Sequence, residues 1–302
     1  MSWVDPILDR LAEAPAVGYS PAGKPAAEPT AIAALALLAH ERNSAATAIA
    51  DKLVQMQQEN GEVAVRPGEE WPGWPTSLAI STWCAITHTD RAVGNALRGV
   101  PSGDAPNLEK TSLLHERISR AIEWLLANRG RGVERSGDFG HNTELVGWAY
   151  AEGTHSWVEP TAFAVLALTA AGRQYEAAAR EGIAVLVDRQ LPGGGLNYGN
   201  TFVLGQQLRP HIQPTGIGLL ALAGEADATG RIAKSIAWLR RSIGPQTTPT
   251  SLAWATLGLK THGVTLPETD QWLENAAEQV RNRDASPYKL ALLALAAKGW
   301  PQ

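Results

Sequence analysis

Two glutamates stand where a carboxyl group could do acid–base chemistry. Glu28 and Glu159 each precede a proline that opens an apolar run, in Glu28-Pro29-Thr30 and Glu159-Pro160-Thr161. A carboxylate at a helix start meets unpaired N–H groups and the positive end of the helix dipole. It either bonds that backbone or turns its proton toward a ligand. Two such acids could also flank one sugar, as glycoside hydrolysis requires, if the fold brings them together. A third candidate is Asp138, three residues before His141, because a carboxylate can orient an imidazole for proton transfer. Two stretches mix aromatic and polar side chains as ligand pockets do. One carries Asp138, His141, Asn142, Glu144, Trp148, Tyr150, His155 and Trp157. The other carries Asn197, Tyr198, Asn200, Gln206, Arg209 and His211. A packed lid whose aromatic rings fill space is the competing reading. Gly193-Gly194-Gly195 lacks the Lys-Ser/Thr of a phosphate-binding loop, which excludes a nucleotide site of that kind.

The elements that must position these residues are written in a repeat. The phrase X-Pro-Thr followed by an Ala/Leu-rich run occurs at Glu28-Pro29-Thr30, Trp74-Pro75-Thr76, Glu159-Pro160-Thr161, Gln213-Pro214-Thr215 and Thr248-Pro249-Thr250, with a degenerate copy at Ser286-Pro287-Tyr288. Proline suits the first helical position, so each phrase predicts a helix start with the preceding residue as N-cap. Glu28, Trp74, Glu159 and Gln213 are poor caps, which points to another demand on that rim. The runs AIAALALLA, SLAISTWCA, AFAVLALTA, GIGLLALAG, SLAWATLGL and KLALLALAA have no polar face and predict buried inner helices. Amphipathic segments at 2–14, 44–58, 115–128, 174–190, 230–243 and 268–283 predict outer helices. Strict alternation of six inner and six outer helices gives an all-α fold, an (α/α)6 toroid of six hairpins formed by residues 1–302 as one domain. An open array would need polar end caps, and the last inner run, at 290–297, is as apolar as the others. The inner helices then all point one way, and their N-termini meet at one rim that suits an anion, with Arg209 and His211 adding charge. His40, His88 and His262 fall at the opposite helix ends, where they stabilise carbonyl termini. Long connections at 89–114, 129–158 and 191–212 interrupt the repeat. The first has the composition of a surface excursion, and the other two that of a lid over the rim.

Composition agrees. Of 302 residues, 44% are hydrophobic and only 19% charged, which frees much of the chain to face a core. Net charge is −4, with no basic stripe for nucleic acid. Eleven Trp against three Phe imply a deep core or an aromatic-lined pocket. Cys84 is the single cysteine, which excludes an internal disulfide and a multi-cysteine metal site and fits a reducing compartment. The first ten residues do not read as a signal peptide, and no run is long enough to span a bilayer, so the expectation is a cytoplasmic protein.

Gly147-Trp148, Trp157-Val158-Glu159-Pro160-Thr161-Ala162 and Gly193-Gly194-Gly195-Leu196-Asn197-Tyr198-Gly199-Asn200 resemble the prenyltransferase/squalene-oxidase repeats of squalene–hopene cyclases, other class II terpene cyclases and protein prenyltransferase β subunits. Asp188-Arg189-Gln190 with its Gly-rich turn is similar to that family's Gln-to-Trp repeat. The resemblance implies a toroid with an apolar ligand at its centre. Laid on the family's Asp-x-Asp-Asp motif, the proton-donating acid falls on Glu159 and the outer acids on Trp157 and Pro160. The prenyltransferase zinc pattern puts Asp two residues before Cys, where this chain has Thr82 before Cys84. The Cys-Gly-Glu-Gln phrase of complement-type thioester toroids is missing.

The resulting expectation is a terpene-cyclase/prenyltransferase-like protein binding an isoprenoid or similar apolar molecule, with acid-initiated chemistry as its implied activity. Glu159 is the first candidate acid, followed by Glu28 and Asp138. Trp74, Trp148, Tyr150, Trp157, Asn197 and Tyr198 are the substrate-binding candidates, and Arg209 and His211 would hold a polar head. Aromatic faces could stabilise a carbocation. No metal and no cofactor is expected. A non-catalytic ligand-binding or protein-interaction toroid and a carbohydrate-active toroid remain as alternatives, because fold alone does not settle function.

Overall fold

The structure is a computed structural model and describes residues 2–14, 17–69, 72–96 and 108–301. Among them are twelve helices: α1 Asp5–Ala12, α2 Ala27–Ala39, α3 Asn43–Met56, α4 Thr76–Ala96, α5 Leu108–Ala127, α6 Val158–Ala170, α7 Ala177–Asp188, α8 Ile212–Ala221, α9 Arg231–Ser242, α10 Pro249–Thr261, α11 Thr269–Arg283 and α12 Pro287–Lys298. The even-numbered helices form the inner ring. Each packs on the next, α2 on α4, α4 on α6, and so on to α12, which packs back on α2 and closes the circle. The odd-numbered helices lie outside, each against one or two inner helices. The chain is therefore an all-α toroid of six hairpins, as the repeat predicts. α4 and α5 extend into the connection expected at 89–114. What remains of that connection, 97–107, lies outside the described residues.

Burial follows the sequence pattern. In α2, eleven of thirteen residues are buried, whereas α9 buries only Ile232, Ser235 and Leu239 on one stripe. The inner helices touch closely where side chains vanish. A Cβ on Gly258 would come within 2.4 Å of the Gly216 carbonyl oxygen, and one on Gly216 within 2.5 Å of the Trp254 backbone. These glycines let α8 and α10 pack backbone to backbone.

The recurring threonine has a specific task. The Thr76, Thr161 and Thr215 hydroxyls are buried and accept the backbone N–H of Val63, Trp148 and Leu196 at 2.8, 2.9 and 2.8 Å. Each also donates to a carbonyl oxygen, on Gly73, Trp148 and His211 respectively. A hydroxyl can do both at once, so one side chain ties the incoming loop to the inner-helix start. The glutamines at outer-helix ends reach sideways instead. Gln57 donates to the Arg117 carbonyl of α5, and Gln190 accepts from Ser235 of α9. Gly61 and Gly194, at φ +96° and +90°, then turn the chain against the Arg120 and Lys234 carbonyls, with no room for a Cβ.

At the far rim His40 and His262 bond the Ala294 and Leu219 carbonyls of neighbouring inner helices, each at 2.9 Å. Lys260 donates to the Ala296 and Ala297 carbonyls at the end of α12. The C-terminal carbonyls thus find cationic or imidazole partners, as expected of helix ends.

Candidate functional site

The prolines do not all stand at the first helical position. α2, α6 and α8 begin two residues before their proline, at Ala27, Val158 and Ile212, with Ala26, Trp157 and His211 as caps. The first four N–H groups of a helix have no internal partner, so proline is tolerated anywhere in that turn. Glu28, Glu159 and Gln213 are therefore not poor N-caps but second helical residues. Thr250 and Tyr288 hold the same position in α10 and α12. Because the helices run in the same sense around one ring, these five second residues converge on the axis.

They form the mouth of a cavity of about 220 Å³. Trp74 and Tyr150 complete the mouth, and Phe163, Ile217 and Trp254 make the floor. Each floor residue lies four positions after Glu159, Gln213 or Thr250, one turn deeper on the same face. The polar tier and the apolar tier are thus the same helical stripe read at two depths. An aromatic seam runs through the floor. Trp74 meets Tyr150 edge-on at 5.6 Å and stacks on Phe163 at 6.3 Å, and Phe163 contacts Trp254 at 5.6 Å. Trp254 is fully buried, and its ring contacts that of Trp300 at 6.2 Å.

Both carboxyl groups are held from two sides. Glu28 accepts from the Tyr19 and Tyr288 hydroxyls, the latter at 2.8 Å. Glu159 accepts from the Tyr150 hydroxyl and from Gln213 Nε2 at 3.0 Å. Burial raises the pKa of both acids above the ordinary carboxylate range, against the lowering effect of those donors. The Glu159 charge adds to the rise at Glu28. The Tyr19, Tyr150 and Tyr288 phenols are pushed up by burial and then by the adjacent carboxylates, and remain protonated donors.

The structure brings together only part of the sequence-derived set. Glu28, Glu159, Trp74 and Tyr150 line the cavity. Trp157 stands behind Tyr150 at 6.1 Å, stacked on His155. Tyr198 is half-exposed against His211, yet the Glu159 charge contributes to its raised pKa. Trp148 is a buried wedge between outer helices, its indole N–H bonded to the Leu125 carbonyl at 2.8 Å and its ring under Arg129. Asn197 is buried in its own turn and accepts the Gly199 N–H. Arg209 and His211 are exposed and are not among the described residues that line the cavity, none of which is basic. Asp138 is exposed and bonded to Ser136, while His141 bonds Thr201, so the expected dyad is not formed.

The sequence reading missed Tyr19, Tyr288, Phe163, Ile217 and Trp254. One signal was available for Tyr288, which replaces the threonine of the phrase in its sixth copy. Among the described residues no group of three or more His, Cys, Asp or Glu could hold a metal ion, and no helix is long and apolar enough to cross a membrane.

No protein-family model and no curated protein matches the chain. Solved structures do. The crystal structure of native alpha-2-macroglobulin from Escherichia coli, from domain MG7 to the C-terminus, aligns over 98% of this chain at 16% identity and a TM-score of 0.51. The cryo-EM reconstruction of the native E. coli protein aligns over 98% at 16% identity and 0.50. This chain spans 41% and 17% of the lengths of those two chains. At that identity the likeness is one of fold, a helical toroid.

Proposed function

We propose that this toroid binds one small, mainly apolar molecule with an oxygen-bearing end, of the short isoprenoid alcohol class, in the cavity at the inner-helix N-termini. The observation that carries the reading is the two-tier stripe, Glu28 and Glu159 with the Tyr150 and Tyr288 phenols above a floor of Phe163, Ile217 and Trp254. Drug-sized ligands occupy pockets of roughly 300–1,000 Å³. A cavity of about 220 Å³ suits a monoterpene-sized chain, not a squalene-sized one. None of the described lining residues is basic, which argues against a diphosphate head.

A carboxyl group whose pKa is raised by burial is a weaker proton donor than an ordinary carboxylic acid. Such a group is matched to an oxygen atom and not to a carbon–carbon double bond. The alkene protonation implied by the terpene-cyclase resemblance is therefore replaced by recognition, or general-acid assistance, at a hydroxyl. Membership of the prenyltransferase/squalene-oxidase superfamily belongs to the same proposal and rests on the residues of loops 129–158 and 191–212.

Tryptophan fluorescence titration tests it. Geraniol should bind and its hydrocarbon counterpart myrcene should bind about tenfold more weakly, the worth of one buried hydrogen bond. Glu159→Leu should erase that preference, while Glu159→Gln, which still donates, should keep it. Equal binding of alcohol and hydrocarbon would overturn the proposal. The carbohydrate-active reading has one observation in its favour, two carboxyl groups facing one cavity. Release of reducing sugar from a panel of oligosaccharides would establish it.

A further inference from the structure

A second pocket, of about 430 Å³, lies where loop 129–158 meets loop 191–212. The two loops are one layer. Phe139 bridges Val203 on a short hairpin, Phe202–Val203 with Gln206–Gln207, and Gly140 lies against Phe202. Arg131, Arg189, His141 and His155 line the pocket, and no Asp or Glu does among the described residues.

Arg189 is 4% exposed, and its Nε–H is buried without any hydrogen-bond partner. Its Nη1 donates to Asp188 Oδ2 at 2.6 Å and to the Asn142 carbonyl at 3.1 Å, so one edge of the guanidinium is occupied and the other is left over. A buried N–H of a charged group without an acceptor is costly. His141 adds a second donor. Its Nδ1 accepts the Thr201 N–H, so the neutral ring carries its proton on Nε2. Val133, Phe139 and Leu145 supply apolar lining, and Val133 and Phe139 are large side chains left exposed.

We infer that this pocket is a binding site for an organic oxyanion, a carboxylate or phosphate carried on an apolar chain. The head would take the free edge of Arg189 with Arg131 and His141 beside it, and the chain would cover Val133 and Phe139. Charge-assisted contacts of this kind are about twice as strong as neutral ones, and a guanidinium edge matches two oxygens of one head. This site is separate from the cavity of Glu28 and Glu159 and does not depend on what binds there.

Isothermal titration of the full chain with octyl phosphate, octanoate, octanol and octylamine tests the inference. The two anions should bind at least about tenfold more tightly than octanol or octylamine, and the tighter of the two identifies the head group. Arg131→Ala, a change at an exposed side chain, should weaken the anions at least about threefold and leave octanol unaffected. Arg189→Gln should weaken them further, with circular dichroism reporting whether the variant is folded. Octanol binding as well as the anions, or anion binding unaltered by Arg131→Ala, would overturn it.

Discussion

Glu28 and Glu159 carry the proposed chemistry, and their environment makes a prediction independent of any ligand. Burial raises both pKa values, so the folded chain holds protons that the unfolded chain releases in the ordinary carboxylate range. Stability is then lost as pH rises from about 4.3 toward and through the raised folded values, and regained on acidification across that window. The thermal midpoint of the wild type should fall, relative to a Glu28→Gln/Glu159→Gln variant that lacks these two titrations, as pH rises above the ordinary carboxylate range. Parallel profiles for the two proteins would show that neither carboxyl is perturbed. The acids themselves were legible in the sequence, because each sits in a repeated phrase. Of their hydroxyl partners Tyr150 was legible too, whereas Tyr19, nine residues before Glu28, carries no repeated phrase, and Tyr288 reaches Glu28 only when α12 closes on α2. Arg209 and His211 were misplaced for the reverse reason. They precede an inner helix in sequence, but their loop carries them to the surface.

At the scale of the element, the Pro-Thr phrase joins a loop to a helix. Thr161→Val keeps the volume but leaves the buried Trp148 N–H without an acceptor, and should cost about 1–3 kcal/mol in urea unfolding. A loss below a few tenths would mean the loop is tied elsewhere. Gly258→Val should cost at least about 1–3 kcal/mol, because its Cβ meets the Gly216 carbonyl and two backbones would have to part. Unchanged stability would mean that α8 and α10 can separate freely. Helix type and order were legible, since a run without a polar face has one stable place, inside. The exact start was not. Proline is compatible with every position of the first turn, so Glu28-Pro29 and Thr248-Pro249 read alike and yet stand two residues apart in helical register.

For the whole molecule, ring closure is the organising event. α12 on α2, Tyr288 on Glu28, Ser286 on the Tyr19 carbonyl and His40 on the Ala294 carbonyl join the two ends of the repeat. A closed ring has no terminal hairpin free to fray, unlike an open solenoid. We therefore propose that residues 1–302 act as one domain. Scanning calorimetry should give a single transition whose calorimetric and van't Hoff enthalpies agree, whereas two resolved transitions would divide the chain. Closure also creates the central claim, since only a closed ring gathers five second helical residues around one cavity. Native mass spectrometry of the protein purified from its own host, with solvent extraction of what it carries, tests that claim most directly. The account predicts a single small apolar molecule with an oxygen-bearing end, retained by the wild type and lost from Glu159→Leu. A chain that carries no small molecule, or one that Glu159→Leu retains equally well, would contradict it.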